Sequence, residues 1–463
     1  MARRSLRLLV VLVSLLLLLG QPSMLALGTG KELLPAIQPE VEASEQVFPD
    51  YLQRSEIIST YEEQVRQSPD SFLLLRLLAA QYLRRFRERA DVDDLLRAEQ
   101  AARRSLAIQP RQNVAASMLL ASALLSQHRF REALQVAISA EQLAPNNANL
   151  VSLKASIQME LGDYNAAQQL LQTLTDESES GHSAVAARYL ELTHSLAAAR
   201  QLMDSTMQQM DAFYTNPAET RAWFHVRSGD LAFLSGDLSL AERRYREALD
   251  LFPEDIAAFT GLARLYAAQH RWQMSLEAAN QGLERLPLVE TLGYKADAQR
   301  TLGDPQGATA TEALIDVVAH LSRVQGIYDR ALAVYYIEHN IHLPEALDIA
   351  QREVSVRDDI YAEDTLAWAA AANGQWQIAQ QAAQQATRYG TEDPLLQFHA
   401  GMIALHCGDR VGATQHLQQA LSLNPQFHHK YATEAHQVLA DLTTHGDAQQ
   451  ANSHSPLILR NLL

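Results

Sequence analysis

One interval governs what this chain can become. A small or apolar residue is followed four positions on by a second, three further by a third, and five further by a proline. The pattern reads Ala98, Ala102, Ser105, Pro110; Ala133, Ala137, Ala140, Pro145; Ala241, Tyr245, Ala248, Pro253; and Ala413, Leu417, Ala420, Pro425. Weaker copies begin at Ala167, Ser275, Ala308, Ala346 and Ala379, so successive starts lie 35, 34, 74, 34, 33, 38, 33 and 34 residues apart. The gap of 74 leaves room for one degenerate unit, giving ten in all. A period in this range means supersecondary units that cannot bury their apolar face alone and do so only against the next copy.

The flanking residues identify the unit. Turns precede the starts at Leu161-Gly162-Asp163-Tyr164, Ser235-Gly236-Asp237-Leu238, Leu302-Gly303-Asp304-Pro305, Asn373-Gly374-Gln375-Trp376 and Cys407-Gly408-Asp409-Arg410. Glycine there supplies the left-handed backbone that ends one helix, and the aspartate caps the next. Before each turn lies another helical stretch with its own small residue, such as Gly229, Ala263, Ala367 or Gly401. Small residues at crossings let helices approach closely, with Leu262, Tyr266, Leu366 and Tyr245 filling the gaps. Each unit is therefore a helix pair. Aromatic content of 6% with 19 glycines and 15 prolines in 463 residues fits an all-α chain and argues against a β-sandwich, a barrel or disorder.

This arrangement resembles the tetratricopeptide repeat family over roughly residues 70–425. It departs from the family at 184–215, where the motif is missing, at Glu312 in place of a large apolar residue, and at Asp358 and Thr391 in place of the terminal proline. Those units are expected to stack less regularly and to bend the array. The resemblance implies a right-handed superhelical solenoid, with the first helix of each pair lining a concave groove. Carried over in register, the groove positions are Trp223, Val226, Asp230 and Phe233, then Arg264, Asp297 and Arg300. They continue as Tyr328, Tyr335, Glu338 and His339, then Tyr361, Asp364 and Trp368, then Phe398, Met402 and His406. Rigid aromatics with a polar handle suit a hot spot for a partner peptide or helix. The competing reading is that several, Trp368 above all, fill space between helices.

The ends follow a different logic. Arg3, Arg4 and Arg7 precede the apolar run Leu8–Leu19, and Ala26-Leu27-Gly28 closes residues 1–28 as an export signal or an uncleaved anchor. A polar linker is expected at 29–50, the array at 51–425, a capping helix at 426–443 and a tail at 444–463. Asp176 to Ser183 reads as an acidic surface loop.

Chemistry leaves fewer marks. A formal charge of −16 argues against nucleic acid as a partner. No GxSxG, HExxH, phosphate loop or CxxC is present, and the recurring Asp163, Asp237, Asp304 and Asp409 are explained as caps. Cys407 stands alone, so no internal disulfide forms, and it is expected half-buried beside a turn. Eight of the 16 histidines fall between His399 and His454, and His429 and His436 share a face if both lie on one helix, which keeps metal handling open as an alternative. The first unit carries nine arginines from Arg76 to Arg111 against five acids, either paired locally or offered to an acidic partner or lipid surface. The resulting expectation is an exported, non-catalytic scaffold of a bacterial cell envelope, needing no cofactor and binding a protein partner. An envelope enzyme of unknown chemistry is the remaining alternative.

Overall fold

A computed structural model describes residues 50–446 except 146, 175–179, 194, 214 and 326–329. The expected leader, linker and tail, the first part of the acidic loop, and Tyr328 lie outside the described residues. Among those described there are 22 α-helices and no strand. None of these helices is long and apolar enough to cross a membrane.

After a leading helix, α1 (Arg54–Gln67), the helices fall into ten pairs. They are α2 (Phe72–Arg89) with α3 (Val92–Ile108), α4 (Val114–Leu125) with α5 (Phe130–Glu141), and α6 (Ala148–Glu160) with α7 (Tyr164–Gln172). The degenerate unit is α8 (Ser180–Thr193) with α9 (Leu196–Asp211), followed by α10 (Ala218–Leu234) with α11 (Leu238–Leu251). Next come α12 (Ile256–Ala268) with α13 (Trp272–Leu283), α14 (Val289–Thr301) with α15 (Pro305–Gln325), and α16 (Arg330–Glu338) with α17 (Leu343–Val356). The last are α18 (Ile360–Ala372) with α19 (Trp376–Ala386) and α20 (Pro394–His406) with α21 (Arg410–Leu423), before a final α22 (Tyr431–Gly446).

The repeat pattern is the packing pattern. Ala98, Ala102, Ala133, Ala137, Ala241, Ala248, Ala413 and Ala420 are all buried where second helices meet their neighbours. Tyr245 lies flat against Gly229 and Gly261, where a Cβ would come within 2.8 and 2.6 Å of its ring, so glycine is needed on both flanking helices. The turn aspartates do cap: Asp163 accepts from the Ala166 amide, Asp237 from Leu240, Asp304 from Gly307 and Asp409 from Gly412. A side-chain cap of this kind contributes about 1 kcal/mol to its helix.

The pairs stack into a right-handed superhelix whose second turn rests on its first. Turns inside units three to five meet the loops between units eight and ten and beyond. The Asp358 amide donates to the Leu161 carbonyl at 3.3 Å, the Ile360 amide to the Tyr164 hydroxyl at 3.1 Å, and the Thr391 hydroxyl to the Leu192 carbonyl at 2.6 Å. Fully buried Asn424 donates to the Phe233 carbonyl at 2.7 Å. A second seam has an apolar centre: Ala90 of unit one packs with Ile256, Leu286 and Leu288, and Tyr51 meets Phe252 edge-on at 5.0 Å.

Three expectations change here, and one of two alternatives is selected. Asp358 and Thr391 do not mark loosened units; they are where the chain touches itself a turn away, and a proline at 358 would have no N–H for Leu161. Cys407 is exposed, because it sits in the turn of the last pair, which no described later turn covers. His429 precedes α22 and is buried while His436 is exposed, so they share no helix face. The arginines of unit one are largely paired: Arg85 with Asp94, Arg103 with Glu99 and Glu132, and Arg84 and Arg87 facing Glu219.

Candidate functional site: a charged central cavity

Stacking of the turns converts the concave face into a cavity of about 370 Å³. Its wall comes from first helices of successive units, because inner positions of α8, α10, α12, α14, α16 and α18 point along one axis. Asp230, Phe233, Arg264, Tyr335, Tyr361 and Asp364 line it, as do Asp297, Glu338 and His339. Other expected groove residues lie elsewhere. Trp368, Phe398 and Met402 are buried in the hydrophobic core, with Phe398 stacked on Tyr431 at 4.9 Å. Arg300 is half exposed and pairs with Glu312, and Trp223 belongs to a smaller pocket beside Arg87, Glu219 and Phe252.

The wall carries a ladder of alternating charge. Arg264 bonds Asp230 at 2.8 Å, Asp230 bonds Arg227 at 2.8 Å, Arg227 bonds Glu191 at 2.6 Å, and Glu191 bonds Arg188 at 2.5 Å. The facing turn supplies a second network, in which Glu353 and Asp359 hold both Arg330 and Arg357, and Arg357 reaches Glu160 at 3.1 Å. That last pair crosses between superhelical turns. Arg188 and Arg330 flank the Tyr361 ring at 5.6 and 5.9 Å, and Arg264 lies over Phe233 at 4.7 Å. Buried charges of this kind hold geometry because breaking one partner leaves the other stranded.

The opposite end is acidic and histidine-lined. The non-helical segment after α21 enters it, with His428 donating to Glu338 at 3.2 Å and His429 to Asp297 at 3.1 Å. His339 also reaches Asp297, at 3.0 Å. Burial pushes His428 down to about 4 despite the Glu338 carboxylate beside it. Burial alone would raise Glu338, but His428 and Lys430 hold it down to about 2. Glu290 goes the other way: burial raises it, with Arg264 as the opposing cation. Among the described residues no group of three or more His, Cys, Asp or Glu is placed to hold a metal ion.

Models of the tetratricopeptide repeat match residues 124–187, 226–289 and 365–426. The chain carries tetratricopeptide repeats. No curated protein matches it. Among solved structures it is similar to a tetratricopeptide repeat protein from Parabacteroides merdae, at 18% identity over 57% of this chain and 98% of that one, with a TM-score of 0.36. It is also similar to yeast Tom70, at 12% identity over 82% and 96% with a TM-score of 0.34. A third likeness is to the human IFIT1 dimer with PPP-AAAA, at 13% identity over 80% and 78% with a TM-score of 0.41.

Tetratricopeptide repeats are scaffolds for protein–protein interaction, and the inner positions of this one converge on the cavity. Nine of the 17 positions carried over by register lie in its wall. The register missed Arg188 and Glu191, which occupy equivalent places in the degenerate unit α8–α9 where no motif anchored it. It also missed Arg330, Arg357, His428 and His429, which arrive from the ends of helices and from loops.

Proposed function

We propose that this protein is a non-catalytic adaptor of the cell envelope that holds a peptide or helix of a partner protein in its central cavity. The observation that carries the reading is the convergence of Asp230, Arg264, Tyr335, Tyr361 and Asp364, from the fifth, sixth, eighth and ninth units, on one cavity. The cavity falls in the range of small-ligand sites, at about 370 Å³. Its charged groups are paired with one another, which suits recognition better than acid–base turnover. Export rests on the basic, apolar and small-residue succession of residues 1–28.

The test is a crosslinking capture from the envelope fraction, comparing the wild-type protein with an Arg264→Ala, Tyr335→Ala, Tyr361→Ala variant of equal helicity. A protein captured by the first and lost by the second supports the adaptor. Equal capture by both places recognition on another face and overturns the cavity reading.

A further inference from the structure

The seam between unit one and units five to seven encloses a second, smaller site. Where the end of α2 meets α10 and the loop after α11, a pocket of about 60 Å³ opens beside Trp223. Among the described residues it shares none of its lining with the central cavity. Most of its charged groups are committed elsewhere. Arg54 holds Glu88, Arg285 pairs with Glu254, and Asp255 caps α12 through the Ala258 amide at 2.9 Å.

Arg87 and Glu219 are the exception. Glu219 Oε1 accepts from the Thr220 hydroxyl at 3.3 Å and faces Arg87 Nη2 at 3.6 Å and Arg84 Nε at 4.0 Å. Its other oxygen, Oε2, is buried with no hydrogen-bond partner among the described residues, and so is Arg87 Nε. The Glu219 side chain is only 4% exposed, so that oxygen does not reach solvent by a small rotation. An open buried acceptor and an open buried donor each cost free energy, which a ligand with matching groups recovers.

The two open atoms define the ligand. An ammonium would satisfy Glu219 but meet the Arg87 guanidinium, and a carboxylate would satisfy Arg87 but meet Glu219. A neutral group with one donor and one acceptor satisfies both. The pocket has room for roughly four water-sized groups, more than a lone hydroxyl fills. Its remaining walls are apolar, with Ala90, Phe252 and Ile256 all buried and the Trp223 ring alongside. A planar amide has that size and that polarity.

We infer that this pocket binds an amide group of a polypeptide, whose carbonyl oxygen accepts from Arg87 Nε and whose N–H donates to Glu219 Oε2, beside the Trp223 ring. An Asn or Gln side chain and a backbone peptide unit offer the same chemistry, and experiment separates them. The site stands apart from the central cavity, so it holds or fails independently of the adaptor reading.

The full-length protein is labelled with fluorotryptophan, and its four tryptophans are followed by fluorine NMR, with the Trp223 signal assigned by Trp223→Phe. It is titrated with propionamide for the side-chain amide, N-methylacetamide for the peptide unit, and propionate and propylammonium as charged solutes of similar size. An amide is expected to shift the Trp223 signal saturably and to bind at least about fivefold more tightly than either ion. Whichever amide binds more tightly names the source. Arg87→Lys keeps the charge, removes the Nε donor and is expected to weaken the amide about fivefold. Arg103→Lys, on the same unit but outside the pocket, is expected to leave it unchanged.

Glu219→Gln reads the hydrogen bonds themselves. The oxygen of its side-chain amide stays toward Thr220 and the arginines, its NH2 turns into the pocket, and the site then presents two donors. Preference is expected to move from the amide to propionate, with helicity and unfolding midpoint of every variant checked. No saturable shift of Trp223, equal binding of all four solutes or an ion preferred by the wild-type protein overturns the inference and leaves the pocket to water. An unchanged preference in folded Glu219→Gln overturns it as well.

Discussion

The two seams that close this superhelix are built differently. Between unit one and units five to seven the contact centres on apolar Ala90, Ile256, Leu286 and Leu288, all buried, with Arg84 and Arg87 facing Glu219 beside it. Between units three to five and units eight to ten an apolar cluster of Tyr164, Leu192, Ile360 and Leu396 is joined by hydrogen bonds to the carbonyls of Leu161, Leu192 and Phe233, which the first seam lacks among the described residues. At the apolar seam the unit-five loop keeps its repeat proline, Pro253; at the polar one Asp358 and Thr391 have replaced it, while Asn424 makes its contact beside the retained Pro425. A repeat that touches only its neighbours has no use for a donor at that position. At 358 and 391 departure from the repeat pattern thus coincides with a contact one turn away.

The comparison is broken most severely at Gly162. Its φ is +84°, and a Cβ there would overlap the Asp358 carbonyl. Gly162→Ala is expected to cost about 3–5 kcal/mol, combining left-handed strain with a backbone clash. Gly374→Ala, at φ +70° with nothing within 4 Å, carries the strain alone and is expected to cost about 1–2 kcal/mol. Equal losses in denaturant titrations of the two would mean that the polar seam is not closed.

The apolar seam is probed by Leu286→Ala. Removing a side chain that is only 2% exposed is expected to cost about 2–4 kcal/mol, with little dependence on salt or pH. A milder effect is expected from Thr391→Val, which keeps the shape and deletes the donor to Leu192. The loss should be about 1–2 kcal/mol, read by denaturant midpoint at unchanged slope.

The smallest effects are those of pH, and the seam and the cavity respond in opposite senses. His428 has a folded value of about 4, below its ordinary 6.5, so its contribution is fully present above pH 6.5 and lost as pH falls toward 4. Glu338, Lys430 and His429 are the charged and titratable groups facing it. Glu363, beside the polar seam, is raised to about 7 by burial and by the carboxyl of Asp358. Its contribution is fully present below about pH 4.5 and lost as pH rises through 7. Accordingly, His428→Gln should reduce the loss of stability between pH 7 and 5, and Glu363→Gln should enlarge it. Unfolding midpoints at the two pH values check both signs.

The helix pairs were legible in the sequence, down to the degenerate one, because each requires only a small-residue stripe, a glycine turn and a capping carboxylate within about 34 residues. Nine residues of the cavity wall followed from register for the same reason. Trp368 and Phe398 looked like groove residues yet are core, since the final segment brings Tyr431 over them. The closure itself was not legible. It joins residues 191 to 199 positions apart, and depends on a small rotation per pair summed over several pairs, to which no local pattern corresponds. His428 and His429 reach the cavity only because that rotation returns the last loop to the axis.

Closure of the superhelix is the claim on which the cavity depends. Its most direct test is a pulsed electron–electron distance measurement between spin labels at Ser239 and Gln426, both exposed and flanking the Gly236–Asn424 contact, in a Cys407→Ser background. Stacked turns predict one short, narrow distance distribution that persists without any partner. A long or broad distribution would show the turns apart, and would contradict both the polar seam and the cavity it encloses.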